Sequence, residues 1–296
     1  MNILIAGATG QIGQFLNKNL KNNYKVTSLG KSNIKESNYS IDLLDTHLIN
    51  NFLVNIKTID VLVFLVSNRN IHSIESDHHL NNFQTLVNLM ESLHKSNKTP
   101  SKVIFTSTSH IYGMSDRVKI YDENTNPNPM TFYSRTKLNA EQYLLKNYPS
   151  ISYILRLSPV YSEKMVFNLE RRVFLNKIPF IVGDGKTRFS LCNINNLLSS
   201  INGIINEKVP VGVYNLSDLA PYSYLDLHKF FLRRNPKSFT IKIPKKIVKL
   251  SSVIFQKSNK QYLYETSRKL IIDNIFISKK LNQYVDLNYN LNDLEI

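Results

Sequence analysis

The stretch that decides the fold is NILIAGATGQIGQFL, residues 2–16. Asn2 to Ala6 is a short apolar run that reads as a buried strand, and Ile12 to Leu20 carries apolar residues at helical spacing. Between them Gly7, Gly10 and Gly13 stand on a strand-to-helix turn. At such a turn the backbone can come close to a phosphate, and the N–H groups at the helix start can hold it. Gly7 allows the tight turn, Gly10 the close approach, and Gly13 the packing of helix against strand. The plainer reading is a glycine-rich loop that binds nothing, so the rest of the chain has to decide.

Outward from this turn, short apolar runs alternate with helical patterns. Strands are expected at Asn2–Ala6, Lys25–Leu29, Val61–Val66, Lys102–Thr106 and Ser152–Arg156, and helices at Ile12–Leu20, His47–Asn55, Asp77–His94 and Thr131–Lys146. Alternation of this kind argues for an α/β fold, a Rossmann-like doubly wound parallel sheet with helices on both faces. The strands read as nearly continuous Val, Ile, Leu and Phe, as expected when both faces are covered. Past Ser158 the pattern loosens. Helices are expected at Lys164–Asn176, Asn193–Asn206, Tyr222–Arg233 and Pro244–Phe255, with strands at Pro179–Val182, Gly212–Leu216 and Phe239–Ile243. This predicts a dinucleotide-binding domain over 1–160 and a smaller mixed α/β, mainly substrate-binding region over 161–296.

Composition narrows the class. The chain has 296 residues, 42% hydrophobic and 20% charged, an ordinary globular balance. No apolar run approaches the roughly 20 residues that span a bilayer. Met1-Asn2 leads straight into the first strand, so no signal peptide is expected. Cys192 is the single cysteine, which excludes an internal disulfide and a thiolate metal cluster and fits a reducing cytoplasm. His72, His78 and His79 read as surface histidines at a helix start, with no metal site expected. The net charge of +15 accompanies abundant Asn and Ile, the bias of an AT-rich genome. It is uneven, because no acidic residue lies between Leu227 and Tyr264. That block favours anionic partners or is simply a solvated basic surface.

Tyr133 and Lys137 in TFYSRTKLNAEQYL are four apart, on one face of a helix. A lysine ammonium near the phenol stabilises the phenolate, which makes the tyrosine usable as an acid/base near neutral pH. In VIFTSTSHIYG a strand ends in a run of hydroxyls, and Thr108 there can bond the same substrate oxygen.

With these motifs the chain resembles the extended short-chain dehydrogenases/reductases of the NAD(P)-dependent nucleotide-sugar epimerase/dehydratase family. The resemblance covers nearly the whole chain, with the motifs in the family's order. GATGQIG is similar to the cofactor glycine motif, so Thr9, Gln11 and Ile12 join Gly7, Gly10 and Gly13 as expected cofactor contacts. SIDLLD resembles the motif that contacts adenine and points to Asp42 and Leu43. DVLVFLVS resembles the strand that usually ends His-Leu-Ala-Ala, with Leu65 kept and Val66 and Ser67 in place of the alanines. LNNFQTLVNLME keeps Asn82 but lacks the Gly-Thr that usually follows. FTSTSHIYG and FYSRTKLNAE are similar to the catalytic motifs. They imply Thr108, Tyr133 and Lys137 as catalytic residues, Thr108 also touching substrate and Tyr133 and Lys137 also touching cofactor. LRLSPVYS resembles the segment passing the nicotinamide. FNLERRV and GDGKTRFSLCNINNL imply Asn168 and Arg188 near the nucleotide diphosphate. Where dehydratases of this group carry an Asp-Glu pair after the threonine, this chain has Ser109-His110, which argues against water elimination.

The resemblance implies hydride chemistry at C4 of a nucleotide sugar. NADP is preferred over NAD, because TSLGKSN puts Gly30, Lys31 and Ser32 where an NAD enzyme has an acid. That favours a reductase of a UDP-linked 4-keto sugar, N-acetylated and possibly 6-deoxy, in polysaccharide assembly. KLIIDN is similar to members of that kind. A UDP-hexose 4-epimerase is the neighbouring alternative, and a non-catalytic dinucleotide- or RNA-binding relative the distant one, nucleic acid not being the expected partner. A homodimer is implied through the helices at Asp77–His94 and Thr131–Lys146. In IPKKIVKLSSVIFQ, Lys245, Lys246 and Lys249 alternate with Ile247, Leu250 and Ile254. Either this helix turns its apolar side to the core, or it loosely touches an anionic membrane face.

Overall fold

The computed structural model describes residues 1–31, 39–68, 70, 73–116, 120–233 and 239–294. Ser32 and His72 lie outside the described residues. The chain divides into two compact units that alternate along the sequence. The first holds Met1–Thr108, Phe132–Arg156 and Ile201–Tyr214; the second holds Ser109–Thr131, Leu157–Ser200 and Asn215–Ile296.

The first unit is built on a seven-stranded sheet. Its strands are β1 (Asn2–Ala6), β2 (Lys25–Gly30), β3 (Tyr39–Ser40), β4 (Val61–Phe64), β5 (Lys102–Thr108), β6 (Ser152–Leu157) and β7 (Gly212–Leu216), in the order β7-β6-β5-β4-β1-β2-β3. Pairing is parallel from β3 through β2, β1 and β4 to β5. The order reverses at β1, so a crevice opens beyond its carboxyl end. Every residue of β4 and β5 is buried. Gly212–Leu216, expected in the C-terminal region, instead extends this sheet.

The helices follow their apolar faces. In α1 (Gln11–Leu20) the buried residues are Gly13, Leu16, Asn17 and Leu20, one stripe at helical spacing. Asp45 caps α2 (Thr46–Val54) by accepting from the N–H groups of His47 and Leu48. The helix expected over Asp77–His94 comes in three parts: α3 (Glu75–His79), a π turn at Leu80–Gln84, and α4 (Thr85–Lys95). The π turn carries Asn82, which is fully buried. His78, read as a surface residue, is buried as well. α5 (Phe132–Asn147) packs Ala140 and Leu144 into a core of Leu4, Leu62, Phe64, Leu89, Leu93 and Phe105.

The second unit has short strand pairs around a separate core that includes Tyr161, Leu169, Val173, Phe189, Leu227 and Phe230. The helix expected over Lys164–Asn176 is a single turn, α6 (Phe167–Glu170), followed by a hairpin. Phe174–Leu175 pairs with Ile178–Val182, and Asn176 and Lys177 make the two-residue turn with φ of 48° and 69°. Asparagine tolerates that left-handed turn, so strand pairing overrides the helical spacing. Ile241–Ile243 lies parallel to Ile178–Val182, two residues shorter than expected at its start. The unit also holds α7 (Ile194–Ile205, whose last turn from Ile201 falls in the first unit), α8 (Tyr224–Leu232), α9 (Lys245–Lys257) and α10 (Gln261–Lys269).

Buried Asp218 organises this unit. It accepts from the hydroxyls of Tyr161 at 2.6 Å and Tyr222 at 2.9 Å, the N–H of Asn193 at 2.7 Å and the amide of Asn196 at 2.9 Å. Burial holds its carboxyl above the ordinary range, against the opposing effect of these four donors. α9 is the exception to the rule of buried faces: only Val248 and Ser252 of its thirteen residues are buried, and Ile247, Leu250 and Ile254 stand exposed. The core-facing alternative for this helix is thereby corrected. Among the described residues, no helix is long and apolar enough to cross a membrane.

Candidate active site

A cavity of about 220 Å³ lies where the sheet order reverses, wholly within the first unit. Gly7, Thr9 and Gly10 line it from the first turn. Leu29, Gly30 and Lys31 line it from the end of β2, Ile41, Asp42 and Leu43 from the segment after β3, and Leu65, Val66 and Ser67 from the end of β4. Asn81 and Thr85 complete it.

The three glycines have distinct surroundings. Gly7 has φ +91°, and a Cβ there would lie 2.9 Å from the Val66 nitrogen. At Gly13 a Cβ would meet the Gly7 carbonyl oxygen at 2.3 Å, so this glycine seats α1 on the turn. At Gly10 a Cβ would lie 3.6 Å from the Gly7 carbonyl oxygen, ordinary contact distance, so a methyl there meets no clash. Gly10 is also the N-cap of α1, in extended conformation and without a side-chain cap. The N–H groups of the first turn have no acceptor within the helix and carry the positive end of its dipole.

Two of the lining side chains pair: the Lys31 amine lies 2.9 Å from an Asp42 carboxylate oxygen. That bond, with the N–H of Leu44, holds Asp42 below its ordinary value of 3.8 against the opposing effect of burial.

Thr108 ends β5 and is buried. Tyr133 and Lys137 sit one turn apart on α5. The Lys137 side chain is 1% exposed. Its amine donates to the carbonyl of Thr106 at 3.0 Å and of Val66 at 3.3 Å, and lies 4.6 Å from the Phe105 ring centre. Because Val66 lines the cavity, this bond ties α5 to the cavity wall. A buried ammonium is tolerated where carbonyl dipoles and an aromatic face replace water.

Asn82 acts as a bracket. Its side chain accepts from the N–H of Asn68 at 2.6 Å and donates to the Asn68 carbonyl at 3.1 Å and the Thr136 hydroxyl at 3.2 Å. It also reaches His78 Nδ1 at 3.3 Å, whose ring lies 6.4 Å from that of Tyr133. Asn82 thus joins the loop after β4 to α5, and its neighbour Asn81 faces the cavity. Gln11 and Ile12 open α1 without being among the cavity-lining residues.

Asn168 and Arg188 lie in the second unit. Asn168 donates to the Val160 carbonyl at 2.7 Å and accepts from Arg172 through its own carbonyl. Arg188 makes a two-pronged pair with Asp273 at 3.0–3.1 Å. Within the same unit, His110 Nδ1 lies 3.4 Å from a Glu265 carboxylate oxygen that Lys269 holds at 2.6 Å. Glu265 escaped sequence reasoning. Its spacing to Lys269 is a common helical pair, and its contact with His110 is 155 residues away in sequence.

The geometry defines a class of protein: an α/β fold with a glycine-rich strand-to-helix turn lining a cavity and a buried lysine bonded to the cavity wall. The chain belongs to the NAD dependent epimerase/dehydratase family, whose model matches residues 3–217. It is similar to the dTDP-D-glucose 4,6-dehydratase of Dictyostelium discoideum, 29% identical over 269 residues, covering 77% of this chain and 60% of that one. It is also similar to methionine adenosyltransferase 2 subunit beta of Xenopus tropicalis, 26% identical over 164 residues, 54% of this chain and 47% of that one. The chain thus spans about half the length of the curated relatives it matches. Its fold is that of the UDP-Glc/GlcNAc 4-epimerase of Campylobacter jejuni, with a TM-score of 0.75 at 17% identity over 99% of this chain and 95% of that one.

Proposed function

We propose that the chain is an NAD(P)-dependent oxidoreductase acting at C4 of a nucleotide sugar, reducing the 4-keto group of a UDP-linked hexose, N-acetylated and possibly 6-deoxy. The observation that carries the reading is Lys137: a buried ammonium one helical turn from Tyr133, bonded to the wall of the glycine-lined cavity.

The cavity suits a dinucleotide on two grounds, the glycine turn of Gly7, Thr9 and Gly10 that lines it and the first-turn N–H groups of α1, which have no acceptor within the helix. Gly7, Thr9, Gly10, Gln11, Ile12 and Gly13 would hold the diphosphate, Asp42, Leu43 and Leu65 the adenosine side, and Asn82, Tyr133 and Lys137 the nicotinamide side. When bound, the cofactor supplies or accepts the hydride. Tyr133 exchanges a proton between its phenol oxygen and the oxygen on C4. The Lys137 ammonium favours the phenolate that results. The Thr108 hydroxyl orients the substrate oxygen, and Asn168 and Arg188 are assigned to the nucleotide diphosphate.

NADP remains our preferred cofactor on the strength of Lys31. Its ion pair with Asp42 offsets part of that preference, since a 2′-phosphate has to draw the lysine away from a carboxylate. We also take the chain to act as a homodimer through the α3–α4 segment and α5, in the cytoplasm.

The deciding experiment follows reduced-nicotinamide absorbance with pure protein, NADPH and a UDP-4-keto-6-deoxy-N-acetylhexosamine. Stoichiometric loss that vanishes in Tyr133→Phe supports the reductase. Redox-neutral interconversion of UDP-hexoses without such loss replaces it with the 4-epimerase. Neither activity, with cofactor binding intact, would move the chain to a binding role.

A further inference from the structure

Helix α9 is amphipathic with its apolar face turned outward. Ile247, Leu250 and Ile254 are 59%, 65% and 57% exposed. At 3.6 residues per turn they fall in one stripe about 60° wide. Val248 and Ser252, on the opposite side, are what the helix buries. Lys246 and Lys257 border the apolar stripe and Lys249 stands further round, all three exposed. The same helix walls an open cleft of about 600 Å³, where Lys186, Lys245, Lys246, Lys249 and Arg268 face two carboxylates.

The charge around this face limits what can cover it. From Leu227 to Tyr264 the sequence holds ten Lys and Arg and no Asp or Glu. A second copy of this chain would bring one acid-free basic stripe against another, and like charges across an interface repel. A surface that is both negative and able to accept aliphatic side chains meets the two halves of the pattern at once. Lysine suits its edge, because the methylene stem can lie along the apolar layer while the ammonium stays with the phosphates.

We propose that α9 docks the protein on an anionic phospholipid bilayer, the helix lying flat with Ile247, Leu250 and Ile254 in the acyl boundary and Lys246, Lys249 and Lys257 among the headgroups. This is interfacial binding, carried jointly by buried aliphatic surface and by attraction to negative lipid. It stands apart from the catalytic reading, because binding is read without turnover.

The test is co-sedimentation of the full chain with phosphatidylcholine vesicles, with and without about one third phosphatidylglycerol, at about 0.1 M salt, where charges on the protein surface are only partly screened. Two variants accompany it, Leu250→Ser/Ile254→Ser and Lys246→Glu/Lys249→Glu. All four positions are exposed, so cofactor affinity and thermal midpoint serve as folding controls. We expect sedimentation with the anionic vesicles alone, reversed by high salt and weakened about tenfold or more in each variant. Absence of binding to anionic vesicles overturns the proposal. So does equal binding to neutral ones, or binding that neither variant weakens. A wild-type dimer that Leu250→Ser/Ile254→Ser converts to monomer also overturns it, since the face would then belong to a second copy.

Discussion

Gly10 and Gly13 sit three residues apart and carry opposite burdens. A methyl at Gly13 collides with backbone atoms of Gly7 and Ala8, which cannot swing aside as a side chain would. Gly13→Ala is therefore expected to lift α1 off the turn and cost about 1–3 kcal/mol, read as a lowered urea midpoint with unchanged slope. Gly10 has φ −73° and a Cβ there meets only ordinary contact, so Gly10→Ala fits the fold and, as an N-cap change, should leave stability within about 1 kcal/mol of the parent. Its methyl enters the space proposed for the diphosphate, so NADPH affinity should fall about tenfold or more, measured by titration calorimetry. Lys31→Ala separates the two cofactors. On the NADP reading it weakens NADPH about tenfold and NADH far less, because only the former carries a phosphate to lose a charged bond. Equal loss for both would move the preference to NAD.

At the scale of elements, the contact of α10 with the turn after β5 sets a pH dependence. Burial first, then the charges of Lys269, Arg171 and Arg172, hold His110 down to about 3, while Glu265 opposes them. Burial pushes Glu265 up, but the Lys269 ammonium bonded to it outweighs that and holds it below its ordinary 4.5. A histidine kept neutral in the fold protonates more readily when unfolded. Stability is therefore full above about pH 6.5 and declines as pH falls through 6.5 towards 3. Glu265, a carboxylate favoured in the fold, adds to the decline below about 4.5. His110→Gln should remove about 1–2 kcal/mol of the loss between pH 6.5 and 4.5, read from denaturant midpoints along the series. The same element illustrates what sequence can and cannot reveal. The turn at Gly7, Gly10 and Gly13 was legible because its constraints are local and steric. The strands β1, β4 and β5 were legible because full burial leaves a continuous apolar run. The Lys137–Val66 bond, the Glu265–His110 contact and the four donors on Asp218 join residues far apart in sequence, and spacing carries no trace of them. Spacing announced an apolar face on α9 but could not say whether anything within the chain covers it. At Phe174–Leu175 the apolar spacing suited helix and strand alike, and the left-handed turn at Asn176 and Lys177 decided for the strand.

Over the whole molecule, a net charge of +15 opposes self-association, so any dimer has to form where both signs are on offer. Residues 227–264 are excluded by that argument. The α3–α4 and α5 helices are not: Glu75, Asp77 and Glu91 lie on the former, Arg135 and Lys146 on α5. Leu80 in the π turn and Leu145 on α5 stand exposed beside them. A two-fold interface repeats each contact, so acid from one copy can meet base from the other twice over. For the proposed homodimer this predicts an apolar centre at Leu80 and Leu145 with a charged rim. Leu145→Glu should shift the sedimentation coefficient from dimer to monomer while leaving the thermal midpoint within a few degrees, because Leu145 is exposed in the single chain. High salt, by screening the rim, should weaken the dimer by less than this substitution does, since apolar burial and not the rim supplies most of the affinity. A monomeric wild-type chain at micromolar concentration would remove the dimer from the proposal and leave these leucines as ordinary exposed apolar side chains.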